Sequence, residues 1–72
     1  MPTGRVKLYD ATRGFGFIQP HDKPGEDHFV HYKEVQSAGL EVLRVGQTIR
    51  YNAVPNRRRP GVMAQNLEVI EE

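Results

Sequence analysis

The sequence predicts an all-β fold in which five short strands close into a small barrel. Three observations carry that expectation. Apolar residues recur at every second position in short β-rich runs. Gly and Pro break the chain between those runs and leave no room for long helices. Without helices to cover the edges of an open sheet, closure is the arrangement that removes them. An oligonucleotide-binding barrel and an SH3-like barrel both have this strand count.

The elements follow in order. Arg5-Val6-Lys7-Leu8-Tyr9 alternates polar and apolar, and Phe15 to Gln19 and His28 to Tyr32 are β-rich. Gln47 to Val54 carries Ile49, Tyr51 and Ala53 on one face, and Val62 to Ile70 is the fifth strand. Between strands 3 and 4, Lys33 to Leu43 is the one place for a helical turn, and Gly39 within it discourages anything long. The expectation is a long loop holding one short helical turn.

At 72 residues the chain is expected to form one domain, with the barrel over about residues 4–70, and a two-domain enzyme is excluded. With 38% hydrophobic and 26% charged residues it is too apolar for disorder and too polar for a membrane protein. No run approaches the roughly 18 apolar residues that span a bilayer, and Met1-Pro2-Thr3-Gly4 lacks a signal peptide's basic start. The expected address is the cytoplasm. Cysteine is absent, so neither a disulfide nor a thiolate metal site can staple the fold. The formal charge is only +1, yet Glu68, Glu71 and Glu72 all lie at the end. Without those three acids, ten basic and six acidic groups remain, or +4 over residues 1–67.

Alternation assigns the faces. In the first three strands the odd set holds Arg5, Lys7, Tyr9, Arg13, Phe15, Phe17, Gln19, Phe29 and His31, and the even set holds Val6, Leu8, Gly14, Gly16, Ile18, His28, Val30 and Tyr32. An odd-faced core would bury Arg5, Lys7 and Arg13 without partners, at several kcal/mol for each charge. The even face is therefore the core, and Phe15, Phe17 and Phe29, with Tyr9 and His31, lie outside among cations. His28 is expected inside, as a hydrogen-bonded structural histidine.

A cluster of exposed rings needs a ligand, because contiguous apolar surface seldom stays in water unused. Flat rings stack on nucleobases at roughly 1–3 kcal/mol per base, and nearby Lys and Arg attract phosphates. Single-stranded nucleic acid matches this surface, whereas a duplex hides the faces of its bases. A protein-interaction module, with a peptide on the same rings, is the alternative.

Arg13-Gly14-Phe15-Gly16-Phe17-Ile18 resembles the first ribonucleoprotein motif, and Phe29-Val30-His31-Tyr32 resembles the second. In an RNA-recognition-motif domain the second motif precedes the first and two helices separate the strands. Here the order is reversed and the gap is short, which resembles the cold-shock domain. The likeness extends through Gly4-Arg5-Val6-Lys7, Gly46-Gln47, Ala64 and Asn66-Leu67, covering about residues 4–70. It implies a five-stranded antiparallel oligonucleotide-binding barrel (OB-fold) that binds single-stranded RNA and DNA. It also implies an RNA chaperone and a regulator of transcription or translation. Carried onto this chain, it implies stacking by Tyr9, Phe15, Phe17, Phe29 and His31, with Tyr32 closing the second motif and Lys7 and Arg13 approaching the ligand. For Tyr32 the resemblance, which points the ring outward, is preferred over alternation.

The chain departs from the family at three points: Leu8 replaces a stacking tryptophan, Asp10 a common asparagine, and Leu40 an aromatic of the long loop. Losing one ring predicts binding about five-fold to 150-fold weaker than a full site. The loop Asn56-Arg57-Arg58-Arg59-Pro60-Gly61 could compensate through phosphate contacts by Arg57 and Arg58. No metal is expected, because His28 and His31 point to opposite faces of one strand and no cysteine supports them. Gly14-Phe15-Gly16 is not a dinucleotide fingerprint, since Gln19 holds the third glycine position. No nucleophile, base and orienter come together, so neither catalysis, a cofactor nor a small-molecule substrate is expected. The expected state is a monomer.

Overall fold

The computed structural model describes residues 2–56 and 61–71. Five strands, β1 (Thr3–Asp10), β2 (Phe15–Pro20), β3 (His28–His31), β4 (Thr48–Pro55) and β5 (Val62–Glu71), close into a barrel in the order β1-β2-β3-β5-β4. All neighbours are antiparallel except β3 and β5, which pair in parallel at Phe29 and Met63. One helix, α1 (Tyr32–Ser37), follows β3 directly.

The core is the even face. Val6, Ile18 and Val30 from the first three strands meet Ile49, Tyr51, Ala64 and Leu67 from β4 and β5, while Val35 of α1 and Leu43 close around them. Each large aliphatic residue buried this way contributes about 1.5–3 kcal/mol. His28 is buried too, and its Nδ1 shares a hydrogen bond of 2.8 Å with the Tyr51 hydroxyl. A buried imidazole without that partner would cost stability, so the pair makes a polar group tolerable in the core.

The faces expected from the sequence differ from the structure in three places, each for a local reason. Between Val6 and Leu8 the β1–β2 ladder slips by one residue: Val6 faces Ile18, Leu8 faces Phe17, and Lys7 is the extra residue. This bulge reverses the alternation beyond it. Leu8, expected in the core, is therefore 48% exposed, and Tyr9, expected outside, turns toward Gly16 and packs half-buried against the core. The close approach needs a glycine: a Cβ at Gly16 would lie 2.8 Å from the Tyr9 ring and 2.4 Å from the Leu8 carbonyl.

The third strand stops one residue earlier than expected, because Tyr32 begins the helix and stands 39% exposed, as the resemblance implied. Its ring lies against Gly14, where a Cβ would come within 2.8 Å of it. Gly39 ends α1: at φ 79° its N–H donates to Gln36 O, and Leu40 N–H donates to Val35 O. These two bonds close a Schellman motif around the last turn.

Finally, Ala53 is exposed although it shares a face with Ile49 and Tyr51. The β1–β4 ladder ends at Arg50, so the outer part of the β4–β5 hairpin runs past the wall that would have covered Ala53.

Candidate nucleic-acid interface

Pairing across the barrel builds the outer surface. Leu8 faces Phe17, Phe17 faces Phe29, Phe29 faces Met63 and Met63 faces Val54. One apolar residue from each of the five strands thus forms a single lateral row. Phe15 faces His31 in the adjacent row.

The rings touch one another. Phe15 and Phe29 stack with centroids 5.8 Å apart at 19°, and Phe17 meets both edge-on at 6.0 and 5.9 Å. His31 lies 6.4 Å from Phe29 and 4.5 Å from Tyr32. Edge-to-face and offset contacts in this range are favourable beyond area burial. Phe15, Phe17, Phe29 and His31 are all half-buried: their flanks pack on each other and part of each ring faces solvent.

His31 has a second task. It is the N-cap of α1, and its Nδ1 accepts from Lys33 N–H at 3.2 Å. With Nδ1 used as an acceptor, the neutral ring carries its proton on Nε2.

The rings form one side of an open groove of about 960 Å³. Val54, Pro55, Met63 and Gln65 from the β4–β5 hairpin form the other side, and Lys33 and Glu34 of α1 also line it. Sequence reasoning missed this second wall. Asn56 N–H donates to Gly61 O, and beyond that bond β4 and β5 pair Pro55 with Val62 and Val54 with Met63.

The expected cations lie beside this surface, and both are paired. Lys7, at the bulge, donates to Asp27 at 3.0 Å. The Arg13 Nε lies 3.8 Å from Asp10. Asp10 also accepts from the N–H groups of Thr12 and Arg13, closing the turn between β1 and β2. An asparagine oxygen would make the same bonds, so the aspartate keeps the turn that the family's asparagine would form. Leu40 packs half-buried against the core. Arg57 and Arg58, with Arg59, lie outside the described residues. Among the described residues no cluster of His, Asp and Glu could hold a metal, and no helix is long and apolar enough to cross a membrane.

The 'Cold-shock' DNA-binding domain matches residues 2–70. The chain belongs to the cold-shock domain family. Relatives with that family's names align over nearly their whole length. The probable cold shock protein y4cH of Sinorhizobium fredii is 48% identical over 94% of this chain and 97% of its own. Cold shock protein CspA of Rhizobium meliloti is 42% identical over 93% and 96%. Cold shock protein CapB of Pseudomonas syringae pv. tomato is 40% identical over 94% and 93%. Family membership and the closed five-stranded barrel agree, and nucleic-acid binding is the general function of cold-shock domains.

Proposed function

We propose that this chain is a non-catalytic protein of the cytoplasm that binds single-stranded RNA and DNA as a monomer, and that it acts as an RNA chaperone and a regulator of transcription or translation. The observation that carries the reading is the contiguous set of half-exposed rings, Phe15, Phe17, Phe29 and His31, lining one wall of an open groove. Unpaired bases stack on these rings, and Tyr32, partly exposed beside His31, extends the platform. Tyr9, turned against the core, contributes an edge rather than a face. Lys7, Arg13, Arg57 and Arg58 attract the phosphates.

No bond is made or broken. A strand bound to the rings has given up stacking on its own bases, so binding pulls a weak hairpin toward its open form by mass action.

Titration with a labelled heptathymidine tests the reading. Saturable binding that weakens with salt is expected, with a loss of about five-fold to 150-fold in Phe17→Ala. Replacing Arg57, Arg58 and Arg59 by alanine is expected to flatten the salt slope by about 0.7 for each phosphate that is no longer neutralised. Absence of binding at low salt would defeat the proposal and favour a peptide ligand on the same rings.

A further inference from the structure

Glu34 is a carboxylate in a groove otherwise suited to phosphates and bases. It sits in the first turn of α1, three residues after His31, and lines the same groove as Phe29 and His31. It is half-buried, and among the described residues its carboxylate has no ion pair and no hydrogen bond. Lys33 beside it lines the groove as well, and its ammonium likewise has no carboxylate partner among the described residues.

A bare carboxylate repels a phosphate, so the strand's backbone is not its ligand. A carboxylate only accepts hydrogen bonds, and it accepts best from two donors pointing the same way. Unstacked bases offer their Watson–Crick edges to side chains. Guanine alone presents two adjacent donors there, N1–H and N2–H, with the O6 acceptor next to them. Thymine and uracil present one N–H between two carbonyl oxygens, and cytosine and adenine set an acceptor nitrogen beside their amino group. A neighbouring ammonium suits the guanine O6.

We propose that Glu34, with Lys33 beside it, reads the Watson–Crick edge of a guanine stacked at the Phe29 and His31 end of the groove. The strand is then bound with a preference for guanine at one position. This rests on the single-strand reading above and adds a base preference that stacking alone does not supply.

The test is a guanine scan. Fluorescence anisotropy measures binding of labelled heptathymidine and of seven strands that each carry one guanine, to the full chain and to Glu34→Gln. Guanine in at least one position is expected to tighten binding by about five-fold to 150-fold. Inosine there, which keeps N1–H but lacks the amino group, is expected to lose most of the gain, and cytosine all of it. Glu34→Gln is expected to erase the guanine gain while binding heptathymidine at least as tightly as the parent. A flat scan on a protein that binds heptathymidine well overturns the guanine proposal alone. So does a gain that survives Glu34→Gln, a preference for cytosine, or an equal loss of both strands in that variant. If no strand binds, the single-strand reading falls as well.

Discussion

The two faces of β3 put one residue type to opposite uses. His28 points inward, where it is buried and satisfied by the Tyr51 hydroxyl. His31, three residues on, points outward, uses Nδ1 to cap α1 and lines the groove. The aromatic rings divide in the same way. Tyr51 is fully buried with a polar partner, whereas Phe15, Phe17 and Phe29 are half-buried and meet one another and, through Phe29, the His31 ring. An interior residue is tied to the protein by its partners, and an exterior ring is left able to take a new one. On the proposed function, stability and binding belong to different faces of the same strands.

Exchanging the two kinds of loss puts that division to its strongest test. Tyr51→Phe keeps the ring but leaves His28 Nδ1 buried without its partner, at a cost of about 1–3 kcal/mol. In a domain this small each kcal/mol lowers Tm by roughly 4–8 °C. Strand affinity well below Tm is expected to stay as in the parent. Phe17→Ala is expected to show the reverse, with binding lost and Tm changed far less.

The same tyrosine makes an alkaline signature. Burial first, and then the charges of Asp22 and Glu26, raise Tyr51 from 10.0 to about 12. The folded state holds this proton more tightly than the unfolded chain does. The stabilisation is complete below pH 10 and is lost as pH rises toward 12, at about 1.4 kcal/mol per pH unit. Denaturation midpoints from pH 9 to 12 should fall more steeply in the parent than in Tyr51→Phe. Parallel slopes, or a Tyr51→Phe protein that loses binding while keeping its Tm, would break the division of faces.

How much of this was legible beforehand follows the same line. Alternation placed Val6, Ile18, Val30 and His28 inside and the three phenylalanines outside, because period-two patterning reports directly which face is wet. It misplaced Leu8 and Tyr9, because a bulge is a property of two strands: nothing in Val6-Lys7-Leu8 alone shows that β2 lacks a residue opposite Lys7. The wall of Val54, Met63 and Gln65 was hidden for a related reason, since it adjoins the rings only when β5 closes onto β3. The glycines of Arg13-Gly14-Phe15-Gly16-Phe17 read as motif letters in the sequence. In the fold they make room for the rings of Tyr32 and Tyr9.

The bulge also sharpens the comparison at its margin. It carries Leu8 to the outer end of the apolar row, opposite Phe17 and nearly half-exposed, so a larger side chain there displaces nothing from the core. Leu8→Trp adds a stacking face next to an existing ring. The expected result is a tightening of heptathymidine binding by about five-fold or more, toward the value of one stacked base, with Tm held within a few degrees. A fall in Tm of the size seen for core overpacking would mean that Leu8 belongs to the interior after all.

Lys7 should give the smallest effect, and it separates two roles that share one side chain. Its bond to Asp27 is an exposed pair, and such pairs contribute only about 0–1 kcal/mol to stability. Lys7→Ala should therefore leave Tm almost unchanged. If the ammonium also meets a phosphate when a strand is bound, the slope of log affinity against log salt should shrink by about 0.7, with a modest loss at low salt that fades as salt rises. Asp27→Asn supplies the converse: it frees Lys7 without removing it, so the slope should hold or steepen and low-salt affinity should rise. Equal slopes in all three proteins would assign Lys7 to the ion pair alone and leave phosphate contact to the arginines.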